Sequence, residues 1–349
     1  MDTLLKHLLD ITGHRDHELI ETAILSAIAQ IAGIKDARIL HLNIKHEKTT
    51  LQPMAWLQNG QVGRGDAFTY ADEEPIEQYP VLMHCIQHHF RTQEKISPTL
   101  FALWVPIWSD DKVIACFEIK HHKQFSRKLL DLIEGMLGVY RNFISLLEYS
   151  ETDSLTGLFN RKTFEKHFTK ARLVATPICD TPSGAPERRQ EGDKQEELLD
   201  QWLAVVDIDF FKRINDSFGH LYGDEVLILL AHLMKASFRS HDRIFRFGGE
   251  EFVILINSVT LSNVKQIVER FRKTVENHRF PQVGTITVSI GFTSFHPEDS
   301  PVEVLGHADH ALYYAKNHGR NQICHYEQLL AEGLLTPINN LAVKPIEYF

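Results

Sequence analysis

Hydrophobic positions recur along this chain with two periods, and the period changes from segment to segment. Across residues 18–34, Leu19, Ile20, Ala23, Ile24, Ala27, Ile28 and Ile31 fall at helical spacing, which predicts an amphipathic helix. Residues 37–44 and 99–107 read as strands with a helix around 80–90 between them, and Asp110-Asp111-Lys112 turns into a further strand over 113–119. Leu203-Ala204-Val205-Val206 is an unbroken apolar run ending in Asp207-Ile208-Asp209, the pattern of a buried strand that opens into a site. Val226, Leu227, Leu229, Leu230, Leu233 and Met234 mark another helix. Residues 244–247 and 252–256, rich in Ile, Phe and Val, enclose Gly248-Gly249-Glu250-Glu251 as a hairpin whose glycines supply positive φ angles.

One further stripe, Leu129, Ile133, Met136, Tyr140, Phe143 and Leu147, has the four-and-three spacing of a coiled-coil seam. An amphipathic helix packed on its own domain would carry the same stripe. The length of 349 residues favours two domains. The expected organisation is a first domain over 1–125, a connecting helix over 126–151, a second domain over 152–328 and a loosely docked tail over 329–349. Within the second domain, residues 176–198 combine Pro, Gly, Ser and many charges and read as a disordered insertion.

Composition narrows the setting. A net charge of −9 argues against broad nucleic-acid binding. No apolar run reaches membrane-span length, and Met1-Asp2-Thr3 lacks the basic start of a signal peptide, so no membrane insertion is expected. The scattered Cys85, Cys116, Cys179 and Cys324 fit reduced thiols and a cytoplasmic location. His84 and His88 are one helical turn apart, a spacing that can hold metal or haem, but with no further ligand set in the sequence the preferred reading is surface or partly buried imidazoles.

The candidate chemistry lies in the acids. Carboxylates at the end of a buried strand are costly unless they bind something, and Mg²⁺ takes oxygen ligands from one or two carboxylates plus substrate phosphates. Asp207 and Glu250 could supply them if strand and hairpin are neighbours. Asp209 has a plainer alternative, as N-cap of the following helix. Asn215 and Asp224 form a base-reading pair, since a carboxylate accepts from guanine N1 and N2 while an amide meets O6 or N7; Asp224 alone would also suit a helix N-cap. No Gly-x-x-x-x-Gly-Lys-Ser/Thr element occurs, which excludes a P-loop.

Together, Asp207-Ile208-Asp209-Phe210-Phe211-Lys212, Asn215-Asp216, Gly219-His220, Gly223-Asp224, Arg246-Phe247-Gly248-Gly249-Glu250-Glu251-Phe252, Ser289-Ile290-Gly291 and Lys316-Asn317-His318-Gly319-Arg320-Asn321 resemble the GGDEF diguanylate cyclases. The opening Asp153-Ser154-Leu155-Thr156-Gly157-Leu158-Phe159-Asn160-Arg161 belongs to the same pattern, and the likeness covers roughly residues 150–328. The Glu-Glu form is one of two signatures of active members. The resemblance implies an α+β fold with a βααββαβ core of nucleotidyl-cyclase or polymerase-palm type. It implies condensation of two GTP into cyclic di-GMP with loss of two pyrophosphates, dependent on Mg²⁺ with Mn²⁺ as a substitute.

Residue roles carry over at the matching positions. Asp207, the Ile208 carbonyl, Glu250 and Glu251 are expected at the metal, with Glu250 also the catalytic proton acceptor. The amides of Phe210, Phe211 and Lys212 are expected to cradle the β- and γ-phosphates, joined by Lys316 and Arg320 one helical turn apart. Asn215, His220 and Asp224 complete the substrate set. Arg239-Ser240-His241-Asp242 has the Arg-x-x-Asp spacing of the family's inhibitory product site, with Arg270 as the arm from a second subunit. A reaction with two half-sites favours a homodimer, and so favours the seam reading of the 129–147 stripe. The alternative is a catalytically silent receptor for GTP or cyclic di-GMP that signals to a partner protein. The first half, ending in the hairpin Val105-Pro106-Ile107 and Val113-Ile114-Ala115-Cys116-Phe117-Glu118-Ile119-Lys120, resembles a GAF sensor domain for an unknown ligand, with a PAS-type fold as competitor.

Overall fold

The computed structural model describes residues 3–45, 48–64, 73–109, 112–174, 199–239 and 241–337. The insertion expected over 176–198 lies outside the described residues, as does the end of the expected tail. The chain divides into two compact units, Met1–Ser150 and Glu151–Phe349.

In the first unit, α1 (Thr3–Gly13) and α2 (His17–Ala32) precede β1 (Asp36–Lys45), β2 (Lys48–Gln58), β3 (Gln61–Arg64) and β4 (Glu74–Pro75). Then follow α3 (Pro80–His88), β5 (Thr92–Ser97), β6 (Leu100–Ser109), β7 (Lys112–His121) and α4 (Arg127–Glu151). Asp16 caps α2 by accepting the Glu18 amide, and Gly33 ends it at a left-handed φ of 66°. The strands form an antiparallel sheet in the order β3-β2-β1-β7-β6-β5, with β4 on β2. Strands β2, β3 and β5 escaped the sequence reading because their apolar and polar positions do not alternate cleanly. In β2, Pro53 also interrupts the run, tolerated beside a bulge in which Met54 is the extra residue opposite Ile39 and Leu40 of β1.

One face of this sheet packs on α2 and α4: Ile20, Ile24 and Ile28 meet Ile39, Phe117, Ile133, Met136, Tyr140 and Ile144. The Tyr140 ring stands edge-on to Phe117 at 5.2 Å. This overturns the seam reading. Ile133, Met136, Tyr140 and Leu147 are buried in the core of their own unit, with Leu129 and Phe143 packed against it, because α4 is needed to cover the sheet.

The second unit contains β8 (Phe159–Asn160), α5 (Phe164–Val174), β9 (Asp200–Ile208), α6 (Phe211–Phe218), α7 (His220–Ser237) and β10 (Arg243–Gly248). It continues through β11 (Glu251–Val259), α8 (Leu261–Asn277), β12 (Val288–Phe295), α9 (Pro301–Asn317), β13 (Ile323–His325) and α10 (Tyr326–Ala331). The run from β9 to β12 has the βααββαβ order, and the sheet order is β13-β12-β9-β11-β10-β8. Alternate residues of β9 serve two cores. Trp202, Ala204, Val206 and Ile208 face α7 and α8, while Leu203 and Val205 face α5 and α9. Asp207 therefore points to the α9 side.

Gly291 on β12 sets how close α9 comes. A Cβ there would lie 2.1 Å from the Ala308 carbonyl oxygen and 2.2 Å from the Leu312 nitrogen, so only glycine admits the helix. The first residues of the expected tail are docked, since Leu329 on α10 is buried with Tyr326 against Ala311 and Ala315. Among the described residues no helix is long and apolar enough to cross a membrane.

Candidate active site

The site forms where β9 ends between two antiparallel neighbours. Asp207, 3% exposed, lies opposite Glu251 of β11 on one side and Ser289 of β12 on the other. The hairpin turn places Glu250 between Gly249, at a φ of 50°, and Glu251. Arg246 holds this turn: its Nε and Nη2 donate to the Gly249 carbonyl at 3.1 and 2.9 Å, and its Nη1 to Asp153 Oδ1 at 3.0 Å. Asp153 also accepts the Thr156 amide and hydroxyl. Burial pushes the Asp153 carboxyl up, but Thr156 and Arg246 outweigh it and hold it below the usual range. The Asp-Ser-Leu-Thr opening thereby braces the hairpin.

The acids at the strand end are crowded. Burial raises the Asp207 carboxyl, although Lys316 Nζ sits 2.8 Å from its Oδ2. Burial and the charge of Asp207 push Glu250 to about 7, and the same two causes raise Glu251. Asp309, also raised by burial, lies close enough to push up Asp207 and Glu251. The sequence reading missed Asp309.

This set supplies only oxygen donors, which fits a hard cation such as Mg²⁺ and the net repulsion that a cation would relieve. Among the described residues no three His, Cys, Asp or Glu side chains converge at metal-ligating distance. The Asp207 carboxylate is instead turned to Lys316.

Other expected residues divide. Asp209 is no N-cap: its carboxylate accepts from Thr287 and Ser289 hydroxyls, both at 2.7 Å, and from the Asn321 amide at 3.0 Å. The N-cap of α6 is Phe210, at a left-handed φ of 61°, followed by buried Phe211 and exposed Lys212. Asp224 is not an N-cap either, because α7 begins after Gly219 and Asp224 lies inside it, exposed like His220. Asn215 faces α7, and a Cβ on Gly223 would come 2.0 Å from its Oδ1, so a larger residue there would push the Asn215 amide aside. Lys316 and Arg320 do not share a helical face. The helix α9 stops at Asn317 and Arg320 follows it at a φ of 60°, with its guanidinium 4.4 Å from the Phe210 ring centroid.

At the Arg-x-x-Asp turn, buried Asp242 accepts the Arg239 amide at 2.8 Å and the Asn257 amide at 3.3 Å, while Arg239 is exposed. Arg270 donates to the Ser237 carbonyl of its own chain at 2.9 Å and lines a shallow groove on α8 with Glu269, Lys273 and His278. In the first unit His84 and His88 are exposed, with ring centroids 4.4 Å apart.

Comparison with known proteins fits this geometry. The family model for the diguanylate cyclase GGDEF domain matches residues 189–322. The chain is 39% identical over 173 residues to diguanylate cyclase DgcP of Pseudomonas aeruginosa, covering 46% of this chain and 26% of that protein. It is 31% identical over 245 residues to diguanylate cyclase A of Treponema denticola, covering 66% and 62% respectively. The solved coiled coil and GGDEF domain of DgcB from Caulobacter crescentus, in complex with c-di-GMP, aligns at 28% identity with a TM-score of 0.47 over 57% of this chain and 97% of that one. The chain thus spans less than two thirds of the curated relatives named here. With the hairpin, the βααββαβ order and the family match in one place, residues 189–322 belong to the GGDEF family of diguanylate cyclase domains.

Proposed function

We propose that the protein is a diguanylate cyclase that condenses two GTP into cyclic di-GMP and two pyrophosphates. The observation that carries this reading is the register of the hairpin acids on the buried end of β9, with Lys316 over Asp207. Asp207, Glu250, Glu251 and the Ile208 carbonyl would hold Mg²⁺, which on binding supplies Lewis-acid neutralisation of phosphate charge. The 3′-hydroxyl of one GTP attacks the α-phosphorus of the other, the bond to the pyrophosphate oxygen breaks, and Glu250 takes the hydroxyl proton. The rise of the Glu250 carboxyl to about 7 reflects burial and the charge of Asp207, and a bound cation would draw it down again. Lys316, the first-turn amides of α6 and Arg320 bind phosphate oxygens, and Asn215, His220 and Asp224 meet the nucleoside at the α6–α7 corner.

Two GTP require two facing sites, so the active form is a homodimer. With the 129–147 stripe buried, the exposed positions left along this side of α4 are Gly135, Asn142, Leu146 and Tyr149, with Leu132 and Val139 half-buried against the core of their own unit. Leu146 is 65% and Tyr149 78% exposed, three residues apart and so neighbours on one face of the helix. We further read the first unit as a GAF-like sensor, on the strength of its antiparallel sheet flanked by helices, and the Arg239–Asp242 turn with Arg270 as a product-binding inhibitory site.

The deciding experiment is incubation with GTP and Mg²⁺ followed by chromatography. Cyclic di-GMP and pyrophosphate are expected, and GTP binding without product would point to a silent receptor. Leu146→Asp with Tyr149→Asp should give monomers with little turnover; a dimer of full activity would refute the revised seam.

A further inference from the structure

Phe210 stands at the junction of β9 and α6 with two guanidinium groups over its ring, Cζ of Arg213 at 4.5 Å and Cζ of Arg320 at 4.4 Å from the centroid. Both distances are within cation–π range. Phe210 is 47% exposed, so the ring is not there to fill a core. Its left-handed φ of 61° is costly for a bulky residue and is fixed by the Arg213 amide donating to its carbonyl at 2.9 Å. Arg320 is also left-handed, held by its amide on the Ala315 carbonyl at 3.0 Å and by the next amide on Asp209. Rigid backbone on both sides therefore brings the ring and the cations together.

The charges are uncompensated. Among the described residues neither Arg213 nor Arg320 has a carboxylate partner, and the first turn of α6 carries Lys212 and Arg213 with no acid. Cations at a helix N-terminus oppose the helix dipole, and two guanidiniums beside one ring repel each other. A polyanion bound beside them would relieve both penalties. The ring lowers the cost of keeping the cations together while none is bound, because its negative face attracts each of them.

We propose that Arg213 is a substrate-binding residue, and that Phe210 is a positioning residue which keeps Arg213 and Arg320 together as a clamp for the terminal phosphates of a nucleoside triphosphate. The inference rests on the reading that this site takes GTP, and it names the part of the nucleotide that selects triphosphate over monophosphate. Planar guanidinium forks suit phosphate oxygens, and a clamp assembled beforehand saves the ordering cost at binding.

The test is equilibrium binding of 3′-deoxy-GTP, which lacks the attacking hydroxyl, and of GMP, to the full chain and its Phe210→Leu, Arg213→Met and Phe210→Tyr variants. Phe210→Leu and Arg213→Met should weaken 3′-deoxy-GTP roughly three- to tenfold and leave GMP unchanged, and Phe210→Tyr should keep the original ratio. Equal losses for both nucleotides, or no loss for either, would overturn the clamp. Turnover separates the two ideas. A wild type that makes cyclic di-GMP while its variants keep their triphosphate preference removes the clamp alone. A wild type that makes none while the variants lose that preference removes the cyclase reading and leaves the clamp.

Discussion

Each unit has a buried acid on a central strand of its sheet, and the surroundings of the two acids are opposite. In the first unit Glu118 of β7 receives Arg38 Nε at 2.5 Å and Lys120 Nζ at 3.1 Å. Arg38 also reaches Glu74 at 2.9 Å and the Tyr79 hydroxyl at 3.3 Å. Burial disfavours the Arg38 cation, and Glu118, Tyr79 and Glu74 more than offset it. In the second unit Asp207 of β9 shares Lys316 with Glu250, Glu251 and Asp309, and every one of these carboxyls is pushed up. Two cations answer two acids in one place; in the other Lys316, with a weaker pull of Arg161 on Glu251, faces four acids. Charge balanced within the chain holds a fold, while charge left in excess is an energy that only a ligand can release.

Removing an acid should therefore have opposite consequences in the two units. Glu250→Gln should lower cyclic di-GMP formation by at least about 100-fold, because it removes the proton acceptor. The same change should leave the melting temperature unchanged or higher, because it removes repulsion. Chromatographic turnover with calorimetry checks both, and a variant that is inactive because it is unstable would break the comparison. Glu118→Gln should cost about 2–3 kcal/mol in denaturant unfolding by leaving Arg38 buried without its main partner. If Glu118→Gln is neutral, the network in the first unit is not what balances that charge.

The parts of this molecule that could be read in its sequence are those where one local pattern carries the answer. The buried run of β9 ending at Asp207, and the Gly-Gly turn of the hairpin, announce both an element and its chemistry. Helical spacing alone did not say what covers the α4 stripe, since a sheet of the same chain and a helix of a second copy ask for the same residues. Spacing also misled at Arg320: the count from Lys316 fits one turn, but α9 ends in between and the backbone turns left-handed. Asp309 and the side chain of Phe210 owe their significance to neighbours distant in sequence, namely Asp207 and Glu251 for one and Arg320 for the other. No local pattern could have supplied those.

The smallest expected effect sharpens the same contrast through two histidines. His41 in the first unit has its Nε2 2.6 Å from Glu21, and although burial works against its charge, Glu21 raises its pKa above the ordinary value. His167 in the second unit lies against Phe159 and Phe245 with no hydrogen-bond partner for Nε2, and burial, helped by Arg243, lowers it to about 4. The signs follow from linkage. The contribution of His41 is complete below the unfolded value of 6.5 and is lost as pH rises through its higher folded pKa. For His167 the unfolded chain takes up a proton below 6.5 that the folded chain refuses until about 4, so stability falls as pH falls across that window. By pH 4 the loss should be on the order of 2–3 kcal/mol. His167→Phe, which suits the aromatic neighbours, should flatten the acid side of the stability profile, and His41→Gln should flatten only the alkaline side. If His167→Phe unfolds along the same acid profile as the wild type, the unpaired imidazole is not what makes the second unit acid-sensitive.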